Sequence, residues 1–312
     1  MDYILFTLGA IFIFTGSNLL VDNSKLIAAS LGISPFIIGL TLIAFGTSLP
    51  ELVVSTFASI EGEGDIVIGN VIGSNIANIA LVLSIIAIWK TIEFNYIDLK
   101  ESLSYIIISS IILLIIVANN SLSLISGILF LILFFIYIYN QFRIARDSSS
   151  SEKNHSVGFS MWYFIYSFIG IFILGWGANL FIDGAIGIAI SLGVPLIAVS
   201  LSVVALGTSI PELITSIVAI KKNESNFVIG SILGSNIINV ILVLGTAIII
   251  NPINIYSVDS SINYNTSISL IFMFLSTIIL LYIILFKNMF NRFHGFLLLL
   301  IYFIFIYLNF IR

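Results

Sequence analysis

The chain contains no cysteine, only two histidines and few charges: 8% of its 312 residues are Asp, Glu, Lys or Arg. Without cysteine there is no disulfide, no thiolate metal site and no cysteine nucleophile. Neither His155 nor His294 belongs to an HExxH pattern or lies within an apolar span, which removes a zinc hydrolase and a histidine-activated serine. Both histidines read as loop or helix-end residues, and an enzyme is not expected. A soluble globular chain carries about 25% charged residues, far more than this one. The formal net charge of −4 gives no ground for a nucleic-acid partner. Alternating apolar-out segments of about ten residues, the pattern of a membrane β-barrel, are missing. The N-terminal MDYILFTLGA has no basic stretch before its apolar run and no small-residue cleavage site after it, so the first helix is expected to be retained.

What is present is apolar surface. Hydrophobic residues make up 60% of the chain and the mean hydropathy is +1.21, values of an all-α integral membrane protein. Runs long enough to cross a bilayer of about 30 Å fall near residues 3–21, 35–60, 66–88, 103–118, 123–140, 161–181, 195–220, 227–250, 266–286 and 295–311, which predicts ten transmembrane helices. With that count Lys25, Lys90, Lys100, Arg143, Arg146, Lys153, Lys221, Lys222, Lys287 and Arg292 all fall on one side, and only Arg312 on the other. By the positive-inside rule the first side is cytoplasmic and both termini face out.

The chain repeats itself. A shift of 161 residues aligns TGSNLLVD from Thr15 with WGANLFID from Trp176, FGTSLPELVVS with LGTSIPELITS, and IGNVIGSNIANIALVL with IGSILGSNIINVILVL. Five spans separate equivalent positions, an odd number, so the expected halves, 1–145 and 161–312, lie in opposite orientations around a cytoplasmic linker at 146–160. Inverted repeats with interrupted segments at matching places, here helices 2 and 7, point to a secondary transporter with its site near the midplane.

Pro50 has no N–H for the carbonyl of Gly46, and Pro211 leaves the carbonyl of Gly207 in the same state. Gly46 and Gly207 are expected to ease the bend. Freed carbonyls are tolerated in a membrane only within protein or along a cavity, and a cation is a suitable partner. Glu51 and Glu212 occupy matching mid-span positions, where an ionised group costs on the order of 3 kcal/mol. Thr47, Glu51 and Ser55 are spaced i, i+4, i+8, as are Thr208, Glu212 and Ser216, with Ser48 and Ser209 on nearly the same face. Ser74 and Asn78, and likewise Ser235 and Asn239, repeat the four-residue spacing in the following helices. Carboxylate, hydroxyl, amide and carbonyl oxygens without sulfur or imidazole suit hard cations such as Na⁺ and Ca²⁺. Two carboxylates balance one Ca²⁺.

The blocks GTSLPE with GNVIGSNIANI, and GTSIPE with GSILGSNIINV, resemble the paired alpha repeats of the sodium/calcium exchanger family, in motif regions 44–83 and 205–244. The resemblance implies an antiporter that extrudes Ca²⁺ as Na⁺ enters, with three Na⁺ for one Ca²⁺. It implies a central site of Glu51, Glu212, Thr47, Thr208, Ser48, Ser209, Ser74 and Ser235, with the carbonyls of Ala44 and Ala205 and the amides Asn78 and Asn239 beside them. It also implies that both ions share the glutamates and that the first helix of each half slides past the rest. Many members carry aspartate at the position of Asn239; an amide there neither titrates nor supplies charge, which bears on stoichiometry and pH sensitivity. H⁺- or K⁺-dependent cation antiport is the alternative coupling, and a cation channel the alternative class.

The remaining features read plainly. Asp22 and Asp183 are matched helix-end charges, and Gly69/Gly73 and Gly230/Gly234 have the spacing of close helix packing. EGEGD from Glu61 is a solvated outer loop. ARDSSSSEKNHS from Ala145 is a linker too short for a large regulatory insert, as in the minimal prokaryotic form. No resident cofactor is called for, the bound ions being cargo, and a monomer in the lipid of a prokaryotic plasma membrane suffices.

Overall fold

The computed structural model describes residues 1–94, 96–118, 122–149, 157–192, 207–253 and 260–310. Ala205, Lys153, His155, Arg312 and the first part of the expected seventh span lie outside the described residues. The helices are α1 (Asp2–Leu31), α2 (Pro35–Thr47), α3 (Leu49–Glu61), α4 (Gly64–Trp89), α5 (Tyr96–Ala118), α6 (Leu124–Ser149), α7 (Met161–Ser191), α8 (Ile210–Lys221), α9 (Ser225–Ile250), α10 (Ser260–Phe286) and α11 (Arg292–Phe310). Eight of them are long and apolar enough to cross a membrane, and α2 with α3 makes a ninth candidate, bent by 43°. Of the expected span 195–220, only α8 and the three residues before it are described.

Two compact units are built from interleaved stretches of chain, Met1–Leu49 with Gln141–Ser231, and Pro50–Asn140 with Ile232–Arg312. In the first unit α1 and α7 run antiparallel along one another. Their backbones approach so closely that a Cβ on Gly16 would stand 2.6 Å from the nitrogen of Leu174, and one on Gly177 2.6 Å from that of Ile13. Small residues permit this approach, and dispersion along it is what holds helices together where lipid removes the hydrophobic drive. Phe6 stacks on Phe181 at 4.3 Å alongside. The outward side of α7 presents Phe168 and Phe172, as a lipid-facing surface requires. Two ion pairs, Lys25–Glu224 at 2.6 Å and Lys222–Asp22 at 2.7 Å, join the last turns of α1 to the α8–α9 turn. Asp22 is thus a paired charge, and not at the helix end as expected, because α1 continues past it to Leu31.

In the second unit the two ends are tied separately. At one, the strands Ile92–Glu93 and Met289–Phe290 pair antiparallel, so the segments that follow Lys90 and Lys287 meet. At the other, Leu122 bridges Ile253 and the Ser59 hydroxyl donates to the carbonyl of Ala247 at 2.6 Å. Within α4, 78% of the most apolar stretch is buried, and within α9 94%; among the described residues no other span reaches that degree, and these helices carry the repeated GSN motifs.

One pair of motif glycines, Gly69 and Gly73, departs from expectation. Neither Gly46 nor Gly207 has a positive φ. Their service is space: a Cβ would come 2.6 Å from the Cδ1 of Ile171 at Gly46, and 2.6 Å from that of Ile182 at Gly207. Gly230 does pack tightly, against the carbonyl of Phe36 and the nitrogen of Leu40, whereas Gly69 and Gly73 meet nothing within 4 Å among the described residues. The 161-residue shift maps Phe36–Leu40 onto 197–201, which are not described.

Candidate ion-binding site

The motif helices break at the same place in both copies. Ser48 sits at φ −83°, ψ 3° between α2 and α3, and Ser209 at φ −89°, ψ 0° ahead of α8. Both occupy the sparsely populated bridge region of backbone space, where many functional residues sit. The breaks therefore lie two residues before Pro50 and Pro211, and each proline occupies the first turn of a new helix, where its missing N–H costs nothing. A π turn at Gly39–Ile43 precedes Ala44. Two further π turns, Ala77–Leu83 and Asn239–Leu244, hold Asn78 and Asn239, and such turns recur at functional sites.

Every described candidate is buried. Glu51, Glu212, Thr47, Ser235, Asn78 and Asn239 have no exposed surface; Ser48, Ser209, Ser74 and Thr208 are at most 8% exposed. In the first unit the Thr47 hydroxyl lies against the Glu212 carboxylate and donates to the carbonyl of Ala44 at 3.3 Å. That carbonyl also accepts from the nitrogen of Ser48 at 3.0 Å. The Ala44 carbonyl thus already carries donors from its own helix. The hydroxyls of Ser48, Ser209 and Ser216 make no hydrogen bond among the described residues.

The second unit contains a connected polar network. Asn239 donates from Nδ2 to the Ser74 hydroxyl at 3.0 Å, and Ser74 donates to the carbonyl of Asn70 at 2.7 Å. Asn70 donates in turn to the Ser55 hydroxyl at 2.9 Å and to the Glu51 carbonyl at 3.1 Å. Asn78 donates from Nδ2 to Oδ1 of Asn236 at 3.3 Å. Each motif amide therefore has its nitrogen engaged, while Oδ1 of Asn78 and of Asn239 stays buried without a hydrogen bond among the described residues. A buried polar atom left unsatisfied costs on the order of 1–3 kcal/mol. The two amide oxygens of this network suit a partner that accepts lone pairs, which is what a hard cation does.

Two participants were absent from the sequence-derived set. Asn70 continues the stripe Asn70, Ser74, Asn78 at i, i+4, i+8, so spacing was sufficient to find it. Asn236 meets that stripe at Asn78 but, like its repeat partner Asn75, follows the motif serine directly and so falls outside the four-residue spacing; its duplication in GSN was the available signal.

The family model described as sodium/calcium exchanger protein matches residues 1–143 and 162–311. An uncharacterized membrane protein of Methanocaldococcus jannaschii is 38% identical over 240 residues, covering 75% of this chain and 77% of that one. The sodium/calcium exchanger MaX1 of Methanosarcina acetivorans is 30% identical over 300 residues, covering 82% and 85%. The solved sodium/calcium exchanger from Methanococcus jannaschii superposes with a TM-score of 0.81 at 30% identity, over 97% of this chain and 96% of that one.

Proposed function

The chain belongs to the sodium/calcium exchanger family, and from that premise we propose that it is a secondary antiporter in a prokaryotic plasma membrane, extruding one Ca²⁺ as three Na⁺ enter. The observation that carries the reading is the duplicated motif with a fully buried carboxylate in each copy, Glu51 and Glu212. Two such charges with no cation nearby are costly in a bilayer, and Ca²⁺ neutralises both. Na⁺ takes the same oxygens, with Thr47, Thr208, Ser48, Ser209, Ser74, Ser235, Asn78, Asn239 and the carbonyls of Ala44 and Ala205 completing its coordination. One ion set displaces the other because the ligands are shared.

Coupling follows from the same charges. A loaded site carries no net charge with one Ca²⁺ and a single positive charge with three Na⁺, whereas two bare carboxylates carry two charges and are held back by the loss of their hydration. Return without a cation is therefore slow, and each cycle exchanges one ion set for the other. Ten helices in two inverted halves, with both termini outside, supply the two accessible states. Alternating access runs through movement of the first helix of each half, α1 and α7.

The test is ⁴⁵Ca²⁺ uptake into proteoliposomes loaded with Na⁺ and diluted into Na⁺-free buffer. Uptake that needs internal Na⁺ and collapses with a Na⁺ ionophore is expected. Uptake that follows an imposed H⁺ or K⁺ gradient instead overturns the coupling ion, and Ca²⁺ flux without countertransport overturns antiport in favour of a channel.

A further inference from the structure

Behind the motif helices, within the second unit, α4, α5, α9 and α10 line a partly open cavity of about 10 Å³. Its walls include Asn75, Ser109, Asn236, Met273 and Thr277. That volume holds about one water. Both asparagines are more than nine-tenths buried, Asn75 being 3% exposed and Asn236 6%. Each brings one atom without a hydrogen bond among the described residues, Oδ1 of Asn75 and Nδ2 of Asn236. The orientation of Asn236 is set by its other end, because its Oδ1 accepts from Asn78 at 3.3 Å and a reversed amide would place nitrogen against nitrogen. The hydroxyls of Ser109 and Thr277 donate to the carbonyls of Ile106 and Met273, at 3.2 and 2.8 Å, and keep lone pairs for an acceptor role. Nδ2 of Asn75 meets the weakly accepting Sδ of Met273, at 4.0 Å.

We propose that Asn236 is a positioning residue that holds the Asn78 amide with its oxygen free for the transported cation, and that one bound water, bridging Nδ2 of Asn236 and Oδ1 of Asn75, holds Asn236. The ligand of this cavity is water rather than a second cation. A cation satisfies Oδ1 of Asn75 but is repelled by the N–H of Asn236, whereas water accepts from Asn236 and donates to Asn75 and to a hydroxyl oxygen. The chain of restraint runs from the water to Asn236, from Asn236 to Asn78, and from Asn78 to the ion. Asn236 touches no ion in this scheme and acts only through Asn78. The inference rests on the proposed exchange function, since Asn78 is a ligand only in that reading.

The experiment compares wild type, Asn236→Leu, Asn78→Ala, the double variant and Asn75→Leu. For each, half-saturation by Ca²⁺ and by Na⁺ is measured in Na⁺-dependent uptake, with Ca²⁺ binding to the purified protein measured by calorimetry. Asn236→Leu is expected to weaken half-saturation for one of the two cations roughly 10-fold, the usual scale for losing a group that orients a metal ligand, with the maximal rate retained. In the Asn78→Ala background the same substitution is expected to add nothing, because an effect transmitted through Asn78 vanishes with it. Asn75→Leu occupies the place of the water and leaves the Asn78–Asn236 bond intact, so a smaller shift in the same direction is expected. Half-saturation unchanged in Asn236→Leu, or losses that add in the double variant, overturns the positioning role while leaving the exchanger intact. If Asn236→Leu fails to fold, Asn75→Leu decides in the same way. Wild-type protein that neither binds nor exchanges these cations overturns the exchange reading and the positioning role with it.

Discussion

An asparagine amide presents either end to an ion, and only its surroundings make it a dependable oxygen ligand. Asn239 and Asn78 have their nitrogens committed to Ser74 and Asn236, which orients both side chains before any ion arrives. The carboxylates make the opposite kind of statement: Glu51 and Glu212 are fully buried, where a charge is expensive unless a cation compensates it. Replacement by glutamine keeps the volume and removes the charge. In Glu51→Gln and Glu212→Gln, Na⁺-dependent Ca²⁺ uptake is therefore expected to disappear, while thermal stability in ion-free detergent stays level or rises. Removing a buried charge removes its desolvation cost from the folded state, as it does when buried ion pairs are replaced by neutral groups. Added Ca²⁺ is expected to raise the melting temperature of wild type by mass action and to leave both variants unmoved. A melting temperature that falls sharply in both variants without ions would assign the glutamates a structural role.

The break in the motif is a property of the element. Pro50 opens α3 and Ser48 carries the unusual backbone conformation, so the proline acts by stopping α2 from running on into α3. Pro50→Ala restores an N–H and lets a continuous helix compete. The expected result is a lower maximal exchange rate, a fold that is retained, and a smaller bend than the 43° of the wild type, read by transport, melting and structure of the variant. An unchanged rate would show that Ser48 alone maintains the break. How much of this was legible differs by residue. The proline–glutamate motif announces an interrupted helix because each residue is costly in a bilayer for a separate reason. Gly46 and Gly207 also leave space beside Ile171 and Ile182, and which side chain packs there is decided by tertiary structure. The π turns at Asn78 and Asn239 left no trace in composition, since they arise from the register a packed helix must adopt. Asn236 was hidden because its face becomes meaningful only once α4, α5 and α10 are known to meet behind it.

At the scale of the whole molecule, hydropathy revealed the membrane and a gap-free shift of 161 residues revealed the repeat, because both are written in residue types along the chain. The interleaving of the two compact units was not readable in that way. Their boundaries at Leu49–Pro50, Asn140–Gln141 and Ser231–Ile232 depend on which helices pack, and two of the three fall within or beside a motif. Charge placement, however, makes a prediction that the ends of the units sharpen. Lys90 and Lys287 flank the paired strands at one end of the second unit, with Ser59, Leu122 and Ile253 at the other. Lys25 and Lys222 belong to the paired end of the first unit. If the basic ends are cytoplasmic, as the positive-inside rule requires, Glu63 beside Ser59 faces out. The cysteine-free chain makes labelling unambiguous: Glu63→Cys is expected to react with an impermeant maleimide in intact cells, and Lys222→Cys and Lys287→Cys only after permeabilisation. The reverse pattern would invert the whole molecule and place both termini inside. A pattern in which Lys222→Cys and Lys287→Cys differ would mean that the number of crossings between them is odd, contrary to ten spans, because α9 and α10 alone separate those two positions.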